Sequence, residues 1–146
     1  MKFLTVLCLA LFTTTGSGWQ NDLDLALEQA HQDHKYVLLN FSGSDWCIPC
    51  IKMHKEIFES NAFTSYAENE LVLVNADFPR LNKNQLSKEQ QKKNDRLAET
   101  YDPKGHFPYT LLLDEEGKVV RSWEGLPKVT PEEFTTQLKT AMNARP

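Results

Sequence analysis

The chain has 146 residues, with 16 lysines and arginines against 20 aspartates and glutamates, and three cysteines. That acidic balance, with no block of basic residues, excludes a nucleic-acid footprint; the nearest basic run, Lys88 to Lys93, is interrupted by Glu89 and followed by Asp95, as on a solvated helix face. The length suits one domain with a proper core and is too short for two.

The first residues read as an address. Lys2 is a short positive head, Phe3 to Phe12 is an apolar run, and Thr13 to Thr15 lead to the small residues Gly16, Ser17 and Gly18. This is the order of a secretory signal peptide, and the run falls well short of the ~20 apolar residues a spanning helix needs. The expected organisation is therefore a leader over 1–18, cleaved after Gly18, and one domain over 19–146; an uncleaved anchor or a buried strand is the competing reading. Cys8 leaves with the leader, so the mature chain keeps Cys47 and Cys50.

Asn21 or Asp22 caps a first helix, in which Leu23, Ala26, Leu27 and Ala30 recur at helical spacing to about His34. Tyr36 to Phe41 is short, mostly apolar and free of glycine, which suits a strand buried on both faces. The cysteine loop opens a second helix to about Phe58, Ser60 to Glu68 adds a further helical turn or two, and Leu71 to Ala76 is another buried strand. Residues 79–96 are polar, with only Leu81 and Leu86 to bury. Ser87 and Gln90 form a candidate capping box for a helix to Tyr101 that buries Leu97, Ala98 and Tyr101. Gly105 to Pro108 break the pattern. Tyr109 to Leu113 and Val119 to Trp123 are strands joined by a hairpin loop ending in Gly117. Thr130, Pro131 and Glu133 then start a helix with Phe134, Leu138, Ala141 and Met142 on its buried face. Helices between the early strands imply parallel neighbours and the closing hairpin an antiparallel edge, so the sheet is mixed and covered by helices.

The chemistry concentrates at Ser44-Asp45-Trp46-Cys47-Ile48-Pro49-Cys50. A bridge across two residues closes a very small loop and removes little unfolded-state entropy, which makes a purely structural staple a poor reason for it. A cysteine where a buried strand turns into a helix faces unpaired amides and the positive end of the helix dipole, so its thiolate is stabilised. Cys47 is thus the expected nucleophile and Cys50, one turn deeper, the resolving thiol. Pro49 needs no amide hydrogen in a first helical turn. Trp46 either shields one side of the sulfur pair or is ordinary core. Cys47, Cys50 and His54 also have a metal-like spacing that would suit copper or zinc, but a structural zinc site wants a fourth ligand and no second cysteine pair exists. Ile51 after Cys50 excludes c-type haem attachment.

The Trp46-Cys47-Ile48-Pro49-Cys50 motif after a buried strand, the element order, and Phe107-Pro108-Tyr109-Thr110 opening the third strand together resemble the thioredoxin superfamily over essentially all of residues 22–143. The resemblance implies an α/β thioredoxin-like fold, a central mixed sheet of about four strands flanked by helices. It also implies that Trp46, Ile48 and Pro49 complete the active-site loop, that Pro108 is a cis-proline opposite the cysteines, and that the backbone of Phe107 pairs with the substrate chain. Phe41 to Cys47 is similar to a subgroup of exported bacterial disulfide reductases and isomerases. Two departures stand out: Asn40 lies where thioredoxins proper carry a buried acid that handles the proton of the resolving cysteine, and one extra residue separates Gly105 from Pro108, placing His106 and Phe107 before the proline.

The expected function is that of an exported dithiol–disulfide oxidoreductase, most simply a periplasmic reductase. Disulfide-containing exported proteins would be its substrates and a membrane or periplasmic protein its electron donor. No bound cofactor or metal and no nucleic acid is called for, and a monomer is expected. An isomerase or oxidase using the same residues, a metal-handling protein and a redox-inactive chaperone are the alternatives.

Overall fold

The computed structural model describes residues 18–144, so the leader expected over 1–18 lies, except for Gly18, outside the described residues. The elements are α1 (Leu23–Asp33), β1 (Tyr36–Ser42), α2 (Ile48–Met53), α3 (Asn61–Glu70), β2 (Leu71–Asp77), α4 (Lys88–Tyr101), β3 (Tyr109–Leu113), β4 (Val119–Glu124) and α5 (Pro131–Asn143). The four strands form one sheet in the order β2-β1-β3-β4. β1 pairs parallel with β2 and antiparallel with β3, and β3 pairs antiparallel with β4. A helix joins β2 to β3, yet these strands are not neighbours. β3 lies across β1 and runs against it, so the parallel pairing implied by an intervening helix holds for β1 and β2 alone.

The helix starts follow local chemistry. Asp22 accepts from the Leu25 N–H at 3.1 Å, and Ser60 and Ser87 cap α3 and α4 in the same way. Thr130 and Glu133 close a complete capping box on α5. At α4 only half of the expected box forms: Gln90 reaches instead to the Asn21 carbonyl at 2.8 Å and to Asn94 Oδ1 at 2.9 Å. The helical turn or two expected after Ser60 is a full ten-residue helix. A 3₁₀ turn at Asn82–Asn84, which the polar pattern did not reveal, precedes α4, and Leu81 there is exposed.

Alternation along β1 separates two cores. Leu38 joins Met53, Ile57, Phe58, Phe63, Phe134 and Leu138 on the side of α2, α3 and α5. Val37, Leu39 and Phe41 point the other way, onto Ala26 and Ala30 of α1, with Leu97, Ala98 and Tyr101 of α4 packed against them. Those three α4 residues are only partly buried; the fully buried residue of α4 is Asn94, whose amide donates to the Asp77 carbonyl at 2.9 Å. The polar pattern concealed this contact because a satisfied amide can occupy a core position without an apolar signature. On the outer edge of β2, Gln20 exchanges backbone bonds with Leu73 and Asn75 at 2.8 and 2.9 Å, so the unpaired edge is partly covered.

Phe134 is fully buried, with its ring against Trp123, Phe58 and Phe63. Phe134→Ala should cost about 3–5 kcal/mol in chemical denaturation, the range for deleting a buried aromatic side chain. Asp22 also carries Lys93 at 2.8 Å, and this hydrogen bond, foremost, holds its carboxyl below the ordinary value of 3.8. A carboxylate with a lowered folded pKa contributes stability above its unfolded value and loses it as pH falls through the folded one. Asp22→Asn should therefore flatten the acid side of the stability profile below about pH 4, by less than about 1 kcal/mol because the pair is half-exposed and partly screened by solvent. Thermal melts between neutral and acidic pH measure this.

Candidate active site

β1 is buried on both faces up to Ser42, and the chain turns at Gly43 with the Cys47 N–H bonded to the Gly43 carbonyl at 2.9 Å. Cys47 is the N-cap of α2 and its sulfur accepts from the Cys50 N–H at 3.2 Å, as the strand-to-helix position leads one to expect. The two cysteines are joined as a disulfide with Cα atoms 5.2 Å apart. Both are buried, whereas Ile48 between them is 63 % exposed, an apolar side chain on the surface beside the pair. Pro49 sits in the first turn, where no amide hydrogen is missed.

Two aspartates that sequence reasoning passed over fasten this loop. Asp77, at the end of β2, accepts from the Ser44 N–H at 2.9 Å and from the hydroxyls of Ser42 and Ser44. Asp45 accepts from the N–H groups of Arg80 and Leu81, each at 2.9 Å, and from the Asn84 side chain at 3.0 Å. The Arg80 amide, foremost, and the Asn84 side chain hold the Asp45 carboxyl below its ordinary value. Residues 79–84, featureless as a sequence pattern, are thus the wall on which the cysteine loop rests. The signal available was Asp45 itself, next to Trp46 in the motif.

Trp46 is only partly buried and belongs to neither core cluster, so it is not ordinary core. Its indole packs over Gly43, donates to the Phe78 carbonyl at 2.7 Å and meets Phe107 edge-on at 5.3 Å between centroids. The Arg80 guanidinium lies 3.6 Å over the same ring, a stacked cation–π contact. The Phe107–Pro108 peptide is cis, and the Pro108 carbonyl accepts from Gly125 at 2.8 Å. The structure thus links Phe107 to Cys47 through Trp46.

Beneath α2, Asn40 is buried and neutral, with both ends of its amide used. Nδ2 donates to Asn75 Oδ1 at 3.0 Å, and Oδ1 accepts from the Thr110 hydroxyl at 2.9 Å. Thr110 also lies 3.7 Å from Met53 Sδ of α2, which places this network under the helix that carries the cysteines. α2 runs on into a π-helical turn, His54–Phe58, so the helix expected to reach Phe58 does so with a widened last turn. That turn carries His54 to Glu59, at 3.2 Å, with its ring near Trp19. Among the described residues no group of three or more His, Cys, Asp or Glu side chains is arranged to hold a metal.

A C-x-x-C disulfide at a helix N-terminus, above a sheet of this topology, makes the protein a dithiol–disulfide oxidoreductase with a thioredoxin fold. The chain belongs to the thioredoxin-like family, whose domain model matches residues 23–142. It is 38 % identical over 120 residues to the disulfide bond reductase DsbH of Chlamydia pneumoniae, covering 82 % of this chain and 70 % of that one. A shorter match, 35 % over 60 residues, covers 41 % of this chain and 17 % of the thioredoxin-related protein DsbJ of the same organism. Among solved structures, a DsbH oxidoreductase superposes with a TM-score of 0.79 at 35 % identity, over 88 % of this chain and 85 % of its own. A disulphide isomerase from Xylella fastidiosa Temecula1 shares the fold alone, at a TM-score of 0.60 and 19 % identity over 80 % of this chain and 88 % of its own.

A Cβ on Gly43 would sit inside the Trp46 indole. Gly43→Ala should displace the ring, lower Tm by several degrees and slow disulfide exchange. Tryptophan fluorescence and the rate with a model disulfide, measured side by side, test whether stability and rate fall together.

Proposed function

We propose that this chain is an exported reductase of protein disulfides. The Cys47 thiolate attacks one sulfur of a substrate disulfide, forming a mixed disulfide and releasing the other substrate sulfur as thiolate. Cys50 then attacks Cys47 Sγ, the substrate leaves as a dithiol, and the chain is left oxidised as Cys47–Cys50. An external dithiol donor, a membrane or periplasmic protein, returns the two electrons. The observation that carries this reading is the Cys50 N–H bonded to Cys47 Sγ at the N-cap of α2.

The direction rests on two supports. Pro49 before Cys50 matches the thioredoxin pattern, which favours the reductase direction. The 38 % identical relative is named a disulfide bond reductase. The Asn40 amide cannot take up a proton, so the proton of Cys50 passes to solvent instead of to a buried acid under α2. Phe107 presents its backbone to the substrate chain beside cis-Pro108. Export rests on the Lys2 head and the Phe3 to Phe12 run, and no helix among the described residues is long and apolar enough to cross a membrane.

Cys47→Ser should abolish reduction of a disulfide-bonded protein such as insulin. Cys50→Ser should accumulate a mixed disulfide at Cys47 that dithiothreitol releases. Equilibration with glutathione should place the wild-type pair near thioredoxin's value of about −270 mV; a result near the about −120 mV of a strong oxidant would reverse the direction of electron flow.

A further inference from the structure

The segment between α4 and β3 is organised by one buried carboxylate. Asp102, 3 % exposed, follows the last residue of α4, and its N–H closes that helix on the Ala98 carbonyl at 2.9 Å. Its carbonyl accepts from Gly105 at 3.0 Å, where a φ of +70° turns the chain back. Its Oδ1 accepts twice from one residue, from the His106 backbone N–H at 2.9 Å and from His106 Nδ1 at 3.1 Å. Since a carboxylate only accepts, Nδ1 carries the hydrogen and the ring is held in one orientation. The other oxygen, Oδ2, is buried without a hydrogen-bond partner. An under-satisfied buried carboxylate is costly, and general helix termination does not require one.

His106 precedes Phe107 and the cis peptide. Its ring rests on Tyr109, the residue after the proline, at 5.3 Å between centroids, with Nε2 3.9 Å from Glu124 Oε2 at the end of β4. The imidazole thus ties the residue before Phe107 to the residue after Pro108, while Trp46 and Phe78 hold the Phe107 ring. Its side chain is 32 % exposed, so it is not needed to fill the core.

From this geometry we infer that His106, oriented by Asp102, is a positioning residue that sets the Phe107–Pro108 backbone for an extended polypeptide substrate. The inference rests on the proposed use of that backbone by substrate. His106 does not touch the sulfurs in this scheme; it determines which disulfides are bound well, favouring those on peptide chains that can pair with the loop over small disulfides that cannot.

The test compares insulin with cystamine, a disulfide that has no peptide backbone, using His106→Ala, His106→Asn and Pro108→Ala. His106→Ala should raise KM for insulin about tenfold, equivalent to about 1.4 kcal/mol of binding. Its kcat, the rate with cystamine and the reduction potential should stay unchanged. His106→Asn, whose Nδ2 can take the place of Nδ1, should recover most of the loss. A mere loss of stability would lower both rates and would not be rescued selectively. If Pro108→Ala raises KM for insulin while His106→Ala does not, the positioning role is wrong and the use of the loop stands. If neither variant changes KM, the loop is not the substrate-binding backbone and the inference falls with it.

Discussion

Everything at the site depends on a strand buried on both faces having to end beside solvent without leaving its backbone groups unsatisfied. β1 is the second strand of four, between β2 and β3, with helices packed on each side. Where it emerges, the Gly43 carbonyl takes the amide of Cys47, and the sulfur of Cys47 takes the amide of Cys50. The nucleophile's sulfur is thereby part of the helix's own capping chemistry. A reactive group built into a cap is oriented by the same bonds that start the helix.

The surrounding polar groups divide the work by location. Asp45 and Asp77 hold the loop to the segment after β2, and the Trp46 indole lies between that segment and Phe107. None of these contacts lies under α2. There the polar groups are amide and hydroxyl, all neutral, so redox turnover over Asn40 and Thr110 proceeds with no ionisable side chain in that network. Charge is kept at the rim, where water screens it, and the base of the site is a low-dielectric layer.

Much of this was legible in the sequence because it is carried by period or by local chemistry. Alternation and length marked β1 and β2, the caps at Asp22 and Thr130 marked their helices, and Cys47 to Cys50 after a buried strand marked the chemistry. Other features depend on partners that only the folded chain brings together and leave no such trace. Asp45 reads as a polar loop residue until Arg80 and Leu81 are seen to donate to it. Asn94 reads as the solvent face of α4 until the Asp77 carbonyl is found above it. His106 was visible as an extra residue before the proline, but its tie to Asp102 depends on how the chain turns at Gly105, which residue types alone do not specify.

The Asn40 network has a second consequence, for the sheet as a whole. Asn40 pairs with Asn75 in the β1–β2 register and with Thr110 in the β1–β3 register, so its two side-chain bonds lie on one rung across three strands. Sliding either neighbour by two residues would keep every apolar side chain on its own face but leave this amide unsatisfied among hydrocarbon. One asparagine thus acts as an indexing pin that selects a single alignment from several with equal hydrophobic pattern. Because the pin carries no charge, protonation in acid does not remove it.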